Sequence, residues 1–205
     1  MMLTLTGVRR VHGRAMLTLS SGEVLSMPRA MLRERPYRGG TPFDRESFDA
    51  FLRERSYPFA MEKAVSLLAS RARTEHEIAD ALRRNAYPEG TVARVMVRLH
   101  EAGYLDDADY AGQWAASRAA KGMGMRRIRM ELRHKGVDSG TIENVLSSVD
   151  EEEQMEGALR AAQKAARGRD LSIPAERQKV LASLARRGYD YALARSALAA
   201  VMENE

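Results

Sequence analysis

The chain has no cysteine among its 205 residues, and only 6% of them are aromatic. Without thiols there are no disulfides, zinc–thiolate sites or thiol nucleophiles, which fits a reducing cytoplasm. No apolar run reaches the length of a membrane-spanning helix, and the first residues lack the basic start and apolar core of a signal peptide. We therefore expect a cytoplasmic protein that does not cross a membrane.

The residues that are present favour helices and basic surfaces. Hydrophobic residues make up 44% and charged residues 30%, and the net charge is +5. Such a charge suits nucleic acid, an acidic protein surface or anionic lipid, and does not choose among them. Arginine far outnumbers lysine, which favours planar, bidentate contacts to carboxylate or phosphate. A GC-rich genome would produce the same bias.

One pattern occurs three times at a spacing of about 50 residues, the spacing of helical repeats. Each copy has an aliphatic residue, a leucine four positions later, a basic cluster and a small residue that ends a helix. A second apolar-periodic run follows at matching offsets. The anchoring leucines are Leu82, Leu132 and Leu184. This pattern predicts a stacked helical binding surface rather than a catalytic pocket.

The N-terminal part differs from the rest of the chain. Its short, alternating, threonine-rich segments predict a small antiparallel meander with a first reversal near Gly13. We predict a mainly α protein, with three tandem three-helix repeats in an elongated, curved array after this β extension. The predicted divisions are a β extension and linker (1–42), a connecting helix (43–58) and three repeats (59–105, 106–149 and 150–205).

Motifs for catalysis and metal binding are nearly absent. The chain lacks a P-loop, a dinucleotide fingerprint and a Gly-x-Ser-x-Gly elbow. The segment 76–80 resembles a zinc-protease helix only superficially, because a capping box at Thr74 explains it better. Asp106, Asp107 and Asp109 offer a divalent-cation option, but their place at a helix start explains them better. We expect no enzyme activity, metal or cofactor.

The basic runs are the best functional candidates. The densest set surrounds the Gly-rich turn at 122–124, with little acid nearby in the sequence, and a smaller set precedes Gly188. Some of these cations also suit solvated faces or helix C-termini. Tyr110 and Trp114 follow the helical stripe and are predicted to anchor the core. The predicted binding residues are Arg118, Lys121, Arg126, Arg127, Arg129, Arg133, Lys135, Arg186 and Arg187. Another basic set comprises Arg83, Arg84, Arg94 and Arg98.

Several blocks together resemble a known family. They are Gly103-Tyr104-Leu105-Asp106-Asp107, Lys135-Gly136 and Arg187-Gly188-Tyr189, in order and at matching spacing within a stretch from about residue 60 to residue 201. This stretch resembles the RecX regulatory proteins. The first repeat departs from the pattern, because Asn85-Ala86 stands where a Lys-Gly-like pair is usual.

The resemblance implies a bacterial, non-enzymatic regulator that binds the RecA recombinase. Members of the family lie in the groove of the RecA–DNA filament and inhibit ATP hydrolysis and strand exchange in recombinational DNA repair. Weak contacts from successive repeats would add through high effective concentration. We expect a monomer with weak direct contact to nucleic acid. The alternative is a stand-alone, basic helical DNA-binding protein, since a three-helix unit also resembles a helix-turn-helix reader.

Overall fold

The structure is a computed structural model, and it describes residues 3–203. The chain divides between Asp106 and Asp107 into two compact units. The first unit contains a small sheet and one three-helix module, and the second contains two such modules. Within the described range, no helix is long and apolar enough to cross a membrane.

The predicted β extension is present as an antiparallel sheet with the order β3-β2-β1-β4. Gly13 and His12, which has a positive φ of 50°, form the reversal between the first two strands. Leu5, Leu17 and Met27 are buried in the core of the sheet. The strands are β1 (Leu3–Val11), β2 (Arg14–Leu19), β3 (Val24–Pro28) and β4 (Pro42–Phe43), with a 3-10 helix (Arg29–Arg33) after β3.

The first helix corrects a predicted boundary. A connecting helix and a separate repeat helix were expected on either side of Pro58, but α1 runs without a break over Arg45–Ser70. Pro58 cannot donate a main-chain hydrogen bond, which normally ends or kinks a helix. Here both halves are held by burial: Phe48 belongs to the core of the sheet and Ala64 to the core of the first module.

The helices that follow form three modules, each with its own apolar core. The first module combines the second half of α1 with α2 and α3, and the other two take three helices each, which confirms the predicted repeats. The helices are α2 (Glu75–Arg84), α3 (Glu89–Glu101), α4 (Asp107–Ala120), α5 (Met125–His134), α6 (Ser139–Ser147), α7 (Glu151–Ala166), α8 (Pro174–Arg187) and α9 (Tyr191–Glu203).

The repeated leucines mark the same helix end in every module. The carbonyl groups of Leu82, Leu132 and Leu184 each accept the N–H of the residue five positions later, at 3.2 Å. This bond is the longer one of the Schellman turn, which requires a left-handed residue after the helix. Gly188 supplies that residue with φ 91°, whereas Ala86 adopts φ 63° in the first module. The backbone is therefore conserved between the modules even where the glycine is not.

A glycine-to-glycine contact joins the two modules of the second unit. The N–H of Gly124 donates to the carbonyl of Arg187 (2.9 Å), and the N–H of Arg126 donates to the carbonyl of Gly188 (3.1 Å). A β-carbon on Gly124 would overlap the backbone of Gly188 and Tyr189, and one on Gly188 would overlap Arg127. The start of α5 therefore lies directly against the end of α8. We call this contact the joint.

Candidate partner-binding surface

The joint brings together two basic sets that are far apart in the sequence. Nη1 of Arg187, at the end of α8, donates to the carbonyl of Gly122 at 3.4 Å. Lys121 and Arg126 are exposed on either side of that glycine turn. We define the joint surface as the predicted basic residues of this region. They are Arg118, Lys121, Arg126, Arg127, Arg129, Arg133, Lys135 and Arg187.

Glu131 of α5 organises one side of the joint surface. Its carboxylate accepts hydrogen bonds from Nε of Arg118 (2.7 Å), Nε of Arg127 (3.2 Å) and Nε1 of Trp114 (3.2 Å). Partial burial alone would raise the pKa of Glu131, but the hydrogen bonds from Arg118 and Arg127 outweigh it, and the net pKa is lowered. Glu131 therefore stays ionised and fixes both guanidinium groups.

Trp114 forms a platform for cations. The guanidinium carbon of Arg118 lies 4.0 Å from the centre of its ring, and Nζ of Lys135 lies 4.3 Å from it. Nζ of Lys135 is also 5.5 Å from the ring of Tyr110, which stacks on Trp114. Tyr110 is buried, as predicted, whereas Trp114 stays partly exposed. Cation–π attraction therefore holds two of the predicted cations in place.

Glu143 of α6 neutralises a second group of the joint surface. Arg129 binds both of its carboxylate oxygens at 2.8 Å, and Arg133 is 3.9 Å away. The hydrogen bond from Arg129 lowers the pKa of Glu143 and raises that of Arg129. The bidentate geometry is the strong form of an arginine–carboxylate pair.

The expectation of little acid near these cations is therefore wrong. Helix packing brings Glu131 and Glu143 among them, and these two carboxylates contact four of the eight cations. Among the described residues, Lys121 and Arg126 have no ion-pair partner and are both exposed. These two cations are the ones most available to an acidic partner.

Arg186 is placed apart from the joint surface. It lines an open cleft of the third module together with Lys164 and Arg167. The neighbouring cations Arg169 and Lys179 are bound to Glu176 there, at 2.7 Å and 2.5 Å. The pair Arg186–Arg187, treated as one set in the sequence, is thus split between two surfaces.

A cavity of about 220 Å³ opens beside the joint. Arg126 and Arg129 contribute from the second module, and Glu153 and Tyr189 from the third. Burial raises the pKa of the Tyr189 hydroxyl, which therefore remains protonated near neutral pH. Asp190, also in the lining, is engaged as a helix cap, since its Oδ1 accepts the N–H of Leu193 at 2.8 Å. Apolar side chains such as Met123 and Leu193 make up much of the remaining wall, and the described lining holds no nucleophile–base pair.

The remaining candidates are satisfied by structural roles. Thr74 Oγ1 caps α2 by accepting the N–H of Glu77 at 3.2 Å, which confirms the capping explanation of the segment 76–80. Arg83 binds Glu89 at 3.0 Å, and Arg94 lies over the ring of Tyr57. Across residues 3–203, no group of three or more histidine, aspartate or glutamate side chains is arranged to hold a metal ion.

Sequence reasoning did not anticipate how two residues shape the joint surface. Trp114 packs against the core of the second module, as predicted, but its contacts with Arg118 and Lys135 were not foreseen, and Glu131 was not singled out. The signal for Glu131 was available in part, because Arg127 precedes it by one helical turn and (i, i+4) pairs form on a helix surface. Its bond to Arg118 crosses the turn at 122–124 and depends on how α4 packs on α5.

The fold defines a class: a protein built from three tandem three-helix modules that follow a small antiparallel sheet. Three family models match, described as the first, second and third three-helix domains of RecX, over residues 60–99, 106–146 and 151–198. The chain belongs to the RecX family.

Curated relatives and solved structures agree with the family models. The chain is 35% identical over 149 residues to the regulatory protein RecX of Mycolicibacterium vanbaalenii, covering 69% of this chain and 81% of the relative. It is 35% identical over 142 residues to that of Thermobifida fusca, covering 67% and 76%.

Among solved structures, a crystal structure of regulatory protein RecX has a TM-score of 0.64 at 23% identity, covering 93% of this chain and 96% of the other. RecX from Lactobacillus salivarius has a TM-score of 0.66 at 21% identity, covering 71% and 96%.

Proposed function

We propose that this protein is a non-enzymatic cytoplasmic regulator that binds the RecA recombinase, or its filament on DNA, and inhibits ATP hydrolysis and strand exchange. The observation that carries the proposal is the joint, which combines cations of two modules on one surface. Membership of the RecX family supports the choice of partner. We take residues 59–105, 106–149 and 150–205 as the three binding modules.

The joint surface suits an acidic protein partner better than a deep ligand pocket. Lys121 and Arg126 are exposed and unpaired within the described residues, while Arg118 and Arg127 are held in place by Glu131. Prepositioned guanidinium groups lose less conformational freedom on binding. Exposed cations beside them accelerate association with a partner of opposite charge, and salt weakens this effect.

The direct test is single-strand-DNA-dependent ATP hydrolysis by the cognate RecA, titrated with the 205-residue chain. We expect inhibition at substoichiometric amounts. The double variant Lys121→Glu/Arg126→Glu should need about tenfold more protein or higher, because each reversal replaces attraction by repulsion. The matched control is Arg38→Glu/Arg53→Glu, which makes the same charge change at two exposed arginines outside the joint surface.

Three results would count against the proposal. Absence of inhibition by the wild-type chain would exclude RecA inhibition, and tight, salt-sensitive binding to bare DNA would then favour the DNA-binding alternative. Equal inhibition by wild type and a folded Lys121→Glu/Arg126→Glu variant would remove the joint surface from the contact. Equal loss in the control variant would show that only total charge matters.

A further inference from the structure

A second basic site lies in the first unit and shares no residue with the joint surface. A cleft of about 550 Å³ opens between the sheet and the first module. Arg10 of β1 and Arg29 and Arg33 of the 3-10 helix line it from the sheet side, and Lys63 of α1 lines it from the helical side. We call it the sheet–module cleft. Its three arginines precede residue 60, where the matched three-helix domains begin.

The four cations of the cleft are not neutralised by the protein. Among the described residues, none of them is within ion-pair distance of a carboxylate. Other arginines of the same unit are paired: Arg45 with Glu23 at 2.7 Å, and Arg55 with Glu34 at 3.1 Å. Glu62 is the one acidic residue in the described lining of the cleft. Unpaired like charges gathered in a concave site oppose folding and attract anions.

The floor of the cleft is held in a fixed shape. Gly13, in the turn between β1 and β2, packs so closely on the side chain of Asn85 that a β-carbon has no room. The carbonyl of Gly13 accepts the N–H of Arg29 at 2.9 Å. On the helical side, the hydroxyl of Tyr87 donates to the carbonyl of Phe59 at 3.0 Å. These contacts connect the sheet side and the helical side of the cleft and hold the backbone at Gly13 and Arg29 in place.

We propose that the sheet–module cleft binds phosphate groups, carried by a nucleic-acid strand or by a free nucleotide. Three of its four cations are arginines, whose planar forks match phosphate oxygens bidentately. Four positive charges against one carboxylate suit a ligand with several negative charges close together, as adjacent phosphates have. This site is independent of the proposed recombinase contact, because it involves other residues in the other unit.

The test is the binding of a short fluorescein-labelled oligothymidylate to the 205-residue chain, followed by fluorescence anisotropy at low salt. The variant Arg33→Gln/Lys63→Gln should bind about tenfold more weakly or worse, as expected for the loss of two charge-assisted hydrogen bonds. The matched control is Arg38→Gln/Arg53→Gln, which removes two exposed cations of the same unit outside the cleft. The variant Glu62→Gln should bind more tightly than wild type.

The same measurement is repeated with Lys121→Gln/Arg126→Gln in the background, so that binding at the joint surface does not mask the cleft. Competition with ATP identifies the source of the phosphate. Displacement that depends on Arg33 and Lys63 assigns the cleft to free nucleotides, and a lack of displacement assigns it to nucleic acid.

Three results would overturn the proposal. They are equal affinity of the cleft variant and wild type, an equal loss in the control, and equal displacement by oligoglutamate.

Discussion

A single methyl group at Gly124 tests the joint between the second and third modules. The backbone of Gly124 has φ -81° and ψ 162°, which alanine adopts without strain. A β-carbon there would overlap the carbonyl group of Gly188 and the amide nitrogen of Tyr189. Backbone atoms cannot rotate away as a flexible side chain can. The substitution Gly124→Ala therefore changes the packing of the joint and little else.

The expected loss follows from what must separate. Relieving the overlap moves α5 away from the end of α8 and stretches the main-chain bonds Gly124–Arg187 (2.9 Å) and Arg126–Gly188 (3.1 Å). Each such bond contributes about 0.5–1.5 kcal/mol net, and an extra buried methyl in a tight contact costs about 1–3 kcal/mol. We expect Gly124→Ala to lower the free energy of unfolding by about 2–6 kcal/mol, the upper end applying if both bonds are lost.

The assay is urea denaturation followed by circular dichroism, with two glycine controls. Gly112 lies inside α4 with open space around it, so Gly112→Ala should stabilise by about 0.5–1 kcal/mol. Gly168 has φ 70° and open space, so Gly168→Ala reports the conformational penalty alone. Gly188→Ala combines that penalty with the overlap, and its effect should not add to that of Gly124→Ala. A Gly124→Ala variant within about 0.5 kcal/mol of wild type would refute this account of the joint.

The further predictions concern four single residues. Ala86→Gly should stabilise by up to about 1 kcal/mol, because φ 63° strains alanine, whereas Gly136→Ala, at φ 79°, should destabilise in the same denaturation assay. The pKa of Glu131 is lowered in the folded state. The ionised carboxylate therefore stabilises the fold above the ordinary carboxyl pKa, and this stabilisation is lost as pH falls through the pKa of the folded state. Acid titration of Glu131→Gln should show a shallower loss of stability than that of the wild type. Burial, aided by Glu62, raises the pKa of Tyr87 from the ordinary value of 10.0 to about 12. Between these two pH values the unfolded chain loses the phenol proton more readily than the folded chain does, so stability declines as pH rises. Tyr87→Phe should flatten that decline in alkaline thermal melts.

Local features of the fold were predictable from the sequence, because their causes lie within a few residues. Thr74 caps α2 as predicted, and Asp138 caps α6 in the same way, each accepting an N–H three residues ahead. Pro174 occupies the first turn of α8, and Gly188 ends it in the left-handed conformation that glycine favours. The repeated leucine pattern likewise identified the three modules. These signals act through short-range sterics and hydrogen bonds.

The electrostatics of the surface were not predictable from the sequence, because they depend on contacts between helices. Glu131 neutralises Arg118 across a turn, and Glu143 reaches Arg129 from the next helix. The contact between Gly124 and Gly188 could not be predicted either, because in the sequence each glycine indicates only the end or interruption of a helix. The predicted helix boundary at Pro58 was wrong for a related reason. Proline does remove a main-chain hydrogen bond from a helix, but burial of α1 on both sides of Pro58 outweighs that loss.

The departure of the first module from the repeat pattern has a structural cause. Lys135 and Arg187 occupy the position before the helix-ending glycine in the other two modules, and Asn85 replaces them in the first. The side chain of Asn85 turns back to donate to the carbonyl of Ala81 at 2.6 Å and packs against Gly13. Because Gly13 has no side chain, Asn85 fits closely against the turn between β1 and β2, and both residues line the sheet–module cleft. In the first module this position therefore contacts the sheet instead of carrying a cation.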